Sequence, residues 1–286
     1  MVDSAAAGKK LFRRTFHREP KQRPAFGVLL VHGWGDHLGR HRRAAQLFVD
    51  QGGLALGVDW PGNGKSAGLR GHMTGIDTGT AILDEKLAAL RVALAEAGCD
   101  ESVPLGIYAH STGVLVALKW LASHEPSVFR FAWLTSPLVR PEVGHSRFKR
   151  RAAAWLSRLV PWLPIDTRVR ASSCRRADPE TGDFGDTEGC HPLISVGLGH
   201  QLASASESGE VMAWAQALPE PLRMLMILGT ADTVCPPEYG RELFAAMPLS
   251  DKTLIELQGF RHELLGDPQW PDVAGDVEAW LEKALS

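Results

Sequence analysis

The sequence predicts an α/β protein in which a mostly parallel β-sheet is covered by helices on both faces. Short apolar runs alternate with longer segments of helical periodicity along most of the 286 residues, the pattern of parallel strands joined by helical crossovers. Glycine, proline and asparagine mark the turns between these segments. A composition of 44% hydrophobic and 22% charged residues is that of an ordinary globular protein, and a chain of this length can bury a large core.

Six apolar runs are predicted to be buried strands, and five segments between and after them are predicted to be helices. The strands are Gly27 to Val31, Leu54 to Val58, Leu105 to Ala109, Phe131 to Leu134, Leu222 to Leu228 and Thr253 to Leu257. The helices are His41 to Gln51, Thr80 to Glu96, Gly113 to Ala122, Pro237 to Met247 and Val273 to Leu285. Helices therefore follow strands in the order expected of repeated βαβ units.

The alternating pattern breaks between residues 138 and 208, which we call the insertion. It divides a core into a first part, residues 1–137, and a second part, residues 209–286. Charge is segregated within it: residues 140–176 hold ten basic and two acidic residues, and an acidic loop follows with Asp178, Glu180, Asp183, Asp186 and Glu188. That loop lacks the residue spacing of a calcium-binding loop, so we expect it to be solvated and metal-free.

One segment of the insertion, Phe148 to Leu163, is predicted to be a basic amphipathic helix. Its apolar face consists of Phe148, Ala152, Trp155, Leu156, Leu159 and Val160, and its basic face of Lys149, Arg150, Arg151 and Arg158. Two interpretations are open. The preferred one packs the apolar face onto the core, and the alternative places that face on a lipid interface.

Charge and hydropathy exclude several other classes of protein. A net charge of −2 gives no general attraction for nucleic acid. The first twenty residues contain no apolar signal core, and the longest apolar stretch, Gly106 to Ala122, is interrupted by polar residues, so we expect a cytoplasmic protein without a transmembrane span. The four cysteines form no CxxC pair and are predicted to be free thiols rather than zinc ligands.

The strongest chemical signal is the segment Tyr108-Ala-His-Ser-Thr-Gly113, where a predicted buried strand meets a predicted helix. Small residues around Ser111 permit the sharp turn of a nucleophile elbow, with Ala109 at the position usually held by the first glycine. The turn also places Ser111 at a helix N-terminus, where free N–H groups can face a developing negative charge. The sequence thus predicts a catalytic serine, the alternative being a buried structural one.

A catalytic serine needs a base and a carboxylate that orients the base. Asp232 follows the strand that ends at Leu228, and His262 follows the strand that ends at Leu257. Because the carboxyl ends of parallel strands lie on one edge of a sheet, we expect both side chains to meet Ser111 there. Read separately, Asp232 could be a helix N-cap and His262 an ordinary loop residue.

A glycine-rich turn follows the first predicted parallel strand, in the segment Val31-His-Gly-Trp-Gly-Asp-His37. Its backbone N–H groups are expected to face the same edge of the sheet. The N–H groups of Trp34 and Thr112 would then form an oxyanion hole, and losing one such donor typically costs about a hundred- to a thousandfold in rate. We expect His32 to be structural.

Together these segments resemble the monoacylglycerol lipase and lysophospholipase branch of the α/β-hydrolase superfamily. The resemblance covers about the first 135 and the last 70 residues, and rests on the segments 32–40, 59–66, 109–113, 229–232 and 259–262. It implies an eight-stranded sheet, a Ser111–Asp232–His262 triad, an oxyanion hole at Trp34 and Thr112, and a cap formed by the insertion. It also implies an ester or lipid substrate and no metal or cofactor.

The sequence departs from this family at Asp36, Asn63 and Thr112, where relatives often carry Glu, His and Met. Trp34 stands where a smaller residue is common, and its indole is expected to narrow the acyl pocket. His191 belongs to a weak likeness over His191 to Ile194, and we include it with Trp34 and Trp155 among the expected substrate-binding residues.

The predicted function is hydrolysis of carboxylic esters through an acyl-enzyme, with monoacylglycerols or lysolipids as the expected substrates. A second possibility is a peptidase or amidase on the same scaffold, such as a proline-selective aminopeptidase with Glu180 or Glu188 holding the substrate amine. A third is a ligand-binding homologue that has lost turnover. The sequence leaves acyl-chain length, head group and oligomeric state open.

Overall fold

A computed structural model describes residues 10–18, 22–125, 128–141, 147–185 and 187–286. Seven strands form its main sheet: β1 (Arg13–Phe16), β2 (Phe26–Val31), β3 (Gly53–Val58), β4 (Leu105–His110), β5 (Phe131–Thr135), β8 (Arg223–Gly229) and β9 (Lys252–Leu257). Two short strands, β6 (Pro164–Asp166) and β7 (Leu193–Ser195), form a separate antiparallel pair. Residues 1–9, which bear on the expected absence of a signal core, and Asp186 of the acidic loop lie outside the described residues.

The strands of the main sheet lie in the order β1-β3-β2-β4-β5-β8-β9. All neighbouring pairs are parallel except β1 with β3. At the centre of the sheet, Leu29 of β2 lies opposite Leu56 of β3 on one side and Ile107 of β4 on the other. The α/β class with a mostly parallel sheet is thus confirmed, although the described residues contain seven strands in this sheet rather than the eight that the resemblance implies.

Nine α-helices accompany the strands within the described residues. They are α1 (Arg42–Asp50), α2 (Ile76–Glu96), α3 (Thr112–Ser123), α4 (Arg147–Leu159), α5 (Ala171–Cys174), α6 (Val196–Glu207), α7 (Glu210–Gln216), α8 (Pro237–Ala246) and α9 (Trp270–Leu285). Helices α2, α3 and α8 pack on one face of the sheet, and α1 and α9 pack on the other. Alternate side chains of β2 enter the two cores: Leu29 and Val31 point to the first, Val28 and Leu30 to the second. Burial on both faces explains why the central strands read as continuous apolar runs.

The edge strand β1 is absent from the sequence prediction. It pairs Arg13 with Val58 and Phe16 with Ala55, and its residues alternate between exposed and partly buried. Only one of its four residues, Phe16, is apolar, so the strand gives little hydrophobic signal. Helix α2 begins at Ile76, four residues before the predicted start at Thr80. Gly79 and Thr80 weaken the local helical signal, but buried Ile76 contributes to the core and extends the helix.

The insertion contains α4, β6, α5, β7 and α6 between β5 and β8. Its amphipathic helix is observed as α4, which contacts α6 and ends four residues before the predicted end at Leu163. The chain then turns at Pro161, which cannot continue an ordinary helical hydrogen-bond pattern. The side chains of Phe148, Lys149 and Arg150 lie outside the described residues.

The apolar face of α4 is only partly covered. Ala152 and Leu156 are half-buried, but Trp155 is 66% exposed and Leu159 is 54% exposed. The prediction that this face packs fully on the core is therefore wrong for these two side chains. None of the helices that the structure describes has both the length and the hydropathy that crossing a bilayer requires.

Candidate active site

Ser111 occupies a sharp corner between β4 and α3. Its backbone has φ 54° and ψ −122°, a positive φ that is rare for a residue with a side chain. The Ser111 N–H donates a hydrogen bond to the Thr135 carbonyl over 3.0 Å, which ties the corner to β5. A Cβ on Gly113 would lie 2.5 Å from the His32 carbonyl oxygen, so glycine is required for α3 to approach the turn after β2. The strained corner is therefore built into the packing of three elements.

The structure brings Ser111, His262 and Asp232 together. Nε2 of His262 lies 3.0 Å from Oγ of Ser111, and Nδ1 of His262 lies 2.8 Å from Oδ2 of Asp232. All three residues are buried. The other Asp232 oxygen, Oδ1, accepts the N–H groups of Val234 and Cys235, each over 2.8 Å. These contacts give the three residues the geometry of a nucleophile, a base and an orienting carboxylate.

The loop that carries His262 is held closely against the end of β8. A Cβ on Gly229 would lie 2.5 Å from the Phe260 carbonyl oxygen, so the two segments touch through their backbones. The Ser136 hydroxyl donates to the His262 carbonyl over 2.7 Å. His262 therefore has both its ring and its backbone restrained, which supports proton transfer at a fixed position.

Electrostatics favour the protonated form of His262. Burial opposes a charged ring, but the Asp232 carboxylate and the nearby Cys235 raise the pKa of His262 well above its ordinary value of 6.5. The ring also lies against His110, with centroids 4.8 Å apart. Burial and the charge of His262 lower the pKa of His110 well below 6.5, so His110 stays neutral beside it.

The glycine-rich turn after β2 lies beside Ser111. A Cβ on Gly33 would lie 3.0 Å from Cβ of Ser111. Among the hydrogen bonds of the described residues, none uses the N–H of Trp34. Thr112 is the first residue of α3, where the N–H has no partner within the helix. Both predicted oxyanion donors are thus available next to the nucleophile.

His32 holds the glycine-rich turn onto the loop after β3. Its Nε2 accepts the Trp60 N–H over 3.0 Å, and its carbonyl accepts the Trp60 indole N–H over 2.8 Å. Burial lowers the pKa of His32 to about 4, so the ring is neutral near pH 7. These contacts agree with the structural role expected for it.

A buried ionic cluster that the sequence analysis did not identify lies behind His262. Arg40 bonds the carboxylates of Asp36 and Glu263, and Asp36 also accepts from Nε2 of His41 over 2.7 Å. Arg175, from the insertion, donates to Glu263 over 2.7 Å. Although burial opposes ionisation, His41 and Arg40 hold the pKa of Asp36 well below its usual range. Charges from three separate segments thus meet beside His262.

A cavity of about 20 Å³ in this cluster has room for one water molecule. The signal that could have revealed the cluster is the string of polar residues at positions 36, 37, 40 and 41, just after the glycine-rich turn that follows a buried strand. Within the described ranges, this cluster included, no group of three or more His, Cys, Asp and Glu residues is arranged to hold a metal ion. All four cysteines are free thiols, as predicted.

The remaining predicted substrate-binding residues lie in different settings. Trp34 is half-buried, and its indole N–H donates to the Leu193 carbonyl over 3.0 Å. His191 is half-buried against the glycine-rich turn, and both its ring nitrogens bond to backbone groups, those of Gly62 and Leu193. Trp155 is exposed on α4. Trp34 and His191 thus both bond to the backbone of Leu193, whereas Trp155 lies on the surface.

Comparisons with known proteins agree with this architecture. The family described as "Serine aminopeptidase, S33" matches residues 22–269. A monoacylglycerol lipase of Mycolicibacterium smegmatis is 26% identical over 93% of this chain and 91% of its own length, and a monoglyceride lipase of Rattus norvegicus is 28% identical over 98% and 89%. An abhydrolase domain-containing protein of Dictyostelium discoideum is 24% identical, and this chain spans 27% of its length.

Two solved structures extend the comparison. The monoacylglycerol lipase of Paleococcus ferrophilus is 26% identical with a TM-score of 0.79, covering 96% of this chain and 99% of that one. A soluble variant of monoglyceride lipase from Saccharomyces cerevisiae, 18% identical with a TM-score of 0.77 over 98% and 93% of the two chains, shares the fold. The chain therefore belongs to the serine aminopeptidase S33 family, and its predicted membership of the α/β-hydrolase superfamily, in the branch that resembles monoacylglycerol lipases, is confirmed.

Proposed function

We propose that this protein is a serine hydrolase that cleaves monoacylglycerols or related lysolipids. The observation that carries the proposal is the continuous hydrogen-bonded path from Ser111 Oγ through the His262 ring to Asp232, with steps of 3.0 and 2.8 Å. The Ser111 end of this path lies beside two N–H groups that can bind an oxyanion, those of Trp34 and Thr112. This arrangement supports acyl transfer without a cofactor.

In the proposed mechanism, Ser111 attacks the ester carbonyl while neutral His262 accepts the Ser111 proton at Nε2. Asp232 keeps the imidazole proton on Nδ1 and stabilises the imidazolium that forms. The N–H groups of Trp34 and Thr112 stabilise the tetrahedral oxyanion. His262 then protonates the leaving alcohol, and water activated by the same ring releases the acid from Ser111.

The substrate class is supported by the relatives and by one surface. The relatives from Mycolicibacterium smegmatis, Rattus norvegicus and Paleococcus ferrophilus are named as monoacylglycerol or monoglyceride lipases, and a Bacillus subtilis relative, 22% identical, is named as a phospholipase. The surface is the lipid-facing patch, which we define as Trp155, Leu159, Trp162, Leu163 and Ile165, all 41% or more exposed.

The lipid-facing patch is suited to peripheral contact with a lipid interface. Exposed arginines accompany it in sequence, namely Arg151, Arg158, Arg168 and Arg170. Large apolar side chains next to basic ones favour the boundary between acyl chains and anionic head groups. We therefore infer that residues 138–208 act as a cap whose outer side meets the lipid that supplies the substrate. The cytoplasmic location stays a prediction.

The aminopeptidase alternative is favoured by the family's description alone. It requires carboxylates that face the substrate amine, but Glu180 and Glu188 are both exposed on the acidic loop of the insertion. The ligand-binding alternative would leave the three catalytic groups without a role. Ester hydrolysis accounts for all of them.

The test compares the wild-type protein with Ser111→Ala on monoacylglycerols of graded chain length, a lysophospholipid and a prolyl-naphthylamide. We expect wild-type turnover of the lipid esters, labelling of Ser111 by a fluorophosphonate probe, and no turnover or labelling in the variant. Unchanged ester hydrolysis by Ser111→Ala would remove the assignment. Faster cleavage of the naphthylamide than of any ester would support the aminopeptidase instead.

A further inference from the structure

A short segment of the insertion, residues 191–195, is bound to the glycine-rich turn that carries one proposed oxyanion donor. We call this segment the strap. The His191 N–H donates to the Gly35 carbonyl over 3.0 Å, and the Trp34 indole N–H donates to the Leu193 carbonyl over 3.0 Å. Two neighbouring residues of the turn, Trp34 and Gly35, are therefore both hydrogen-bonded to the strap.

The strap and the core are also in direct steric contact. A Cβ on Gly35 would lie 2.2 Å from the His191 carbonyl oxygen, and a Cβ on Gly71 would lie 2.5 Å from the Leu193 carbonyl oxygen. The Ser195 N–H donates to the Gly71 carbonyl over 2.6 Å. Because their backbones touch at two glycines, displacing the strap would remove support from the turn.

The His191 ring completes this contact. Its Nδ1 accepts the Leu193 N–H over 3.2 Å, so the ring proton is on Nε2, which donates to the Gly62 carbonyl over 3.2 Å. On the opposite side of the turn, the Gly35 N–H donates to Oδ1 of Asn63 over 3.0 Å. Gly35 is thus held by the core through its N–H and by the strap through its carbonyl.

We propose that His191 is a positioning residue, which acts through the strap to hold the Trp34 N–H in place for the oxyanion. The inference rests on the proposed function, and it replaces direct substrate binding as the role of His191. It makes the rate of acyl transfer dependent on a residue of the insertion that does not touch the reacting atoms. A misplaced donor stabilises the transition state less while leaving ground-state binding largely unchanged.

The test compares His191→Leu, His191→Gln and a matched control, His200→Leu, which changes a half-buried histidine of the same insertion. For each we would measure kcat, KM and the inhibition constant of a trifluoromethyl ketone with the same acyl chain as the ester. The ketone forms a hemiketal with Ser111, and the hemiketal oxygen occupies the oxyanion position. Fluorophosphonate titration counts the active sites. Each rate is then expressed per active site, so that a partly unfolded sample does not lower it.

We expect His191→Leu to lower kcat per active site about tenfold or more, up to the hundred- to thousandfold cost of losing one oxyanion donor outright, with KM nearly unchanged. The ketone should bind more weakly by the same factor. His191→Gln, which keeps a donor near the Nε2 position, should recover part of the rate, and His200→Leu should behave as wild type. A general loss of stability would lower the number of active sites without changing ketone affinity per site.

Trp34→Phe provides a second variant if His191→Leu does not fold. It removes the indole donor to Leu193 while keeping the Trp34 backbone N–H, and the same parallel loss of kcat and ketone affinity is expected. Ketone affinity that stays at the wild-type level in the folded variants, or a change confined to KM, would overturn the positioning role. A wild-type protein that neither hydrolyses esters nor reacts with the probe would instead overturn the proposed function.

Discussion

Nε of Arg175 lies 2.7 Å from the carboxylate of Glu263, the residue that follows His262 in the chain. Arg175 is buried and the Glu263 side chain is only 12% exposed, and Arg40 bonds the same carboxylate. The backbone N–H of Glu263 also donates to the Cys174 carbonyl over 2.7 Å. The insertion is thus attached to the loop that carries the proposed catalytic base, 88 residues further along the chain.

Replacing Glu263 with Gln should destabilise the protein. The change removes the charge that compensates two buried guanidinium groups, and breaking a buried ion pair typically costs about 3–5 kcal/mol. Urea unfolding would measure the loss. Glu256→Gln is the control, because its partner Arg241 lies at the surface and such pairs contribute up to about 1 kcal/mol. Equal effects of the two changes would contradict the role given to the buried cluster.

The pH dependence of ester hydrolysis should reflect His262. Only the neutral ring can accept the Ser111 proton, and Asp232 holds the pKa of His262 well above 6.5. We therefore expect kcat/KM to rise with pH through neutrality and to level off only in the alkaline range. Asp232→Asn should move this rise to lower pH and reduce the plateau about ten-thousandfold. An unchanged profile in that variant would exclude His262 as the titrating base.

The interaction between His262 and Asp232 should also make the free energy of unfolding depend on pH. Because the pKa of His262 is raised in the folded protein, its interaction with Asp232 stabilises the fold fully below the unfolded pKa of about 6.5. That contribution is lost as pH rises through the folded pKa. Asp232→Asn should therefore lose more stability at pH 6 than at alkaline pH, measured by urea unfolding at both. The reverse order would contradict this sign.

Gly113→Ala should distort the elbow. Its new Cβ would lie 2.5 Å from the His32 carbonyl oxygen, so α3 or the glycine-rich turn must move. Overpacking of this kind lowers the free energy of unfolding by about 1–3 kcal/mol. The rate of ester hydrolysis should fall by a larger fraction than the free energy of unfolding does. Gly275→Ala on α9 is the matched control, since its Cβ would meet nothing within 4 Å beyond its chain neighbours and the local backbone of its own helix, and alanine favours a helix by about 0.5–1 kcal/mol.

The double change Trp155→Ser and Trp162→Ser should affect hydrolysis of a substrate in a lipid interface but not hydrolysis of a soluble substrate. Both side chains are more than half exposed, so their removal should leave hydrolysis of a soluble short-chain ester close to the wild-type rate. Hydrolysis of a monoacylglycerol embedded in anionic vesicles should fall severalfold, because the apolar contact with the interface is lost. Leu69→Ser, another exposed apolar residue, serves as the control. Equal loss on both substrates would contradict a role for the lipid-facing patch at the interface.

Sequence patterns alone predict the parallel sheet, the succession of its strands and helices along the chain, and the three residues that meet at the sheet edge. These features follow from local rules. Apolar periodicity distinguishes strands from helices, and parallel strands bring the ends at Ser111, Asp232 and His262 to one side of the sheet.

No sequence pattern predicts how the insertion attaches to the core or which of its apolar residues stay exposed. Arg175 and Glu263, or His191 and Gly35, show no local pattern that pairs them, because their contacts depend on how separately encoded segments pack in three dimensions. Trp155 and Leu156 share one helical face in sequence, yet only Leu156 is half-buried. Periodicity specifies a face, whereas the neighbouring elements determine how much of that face is covered.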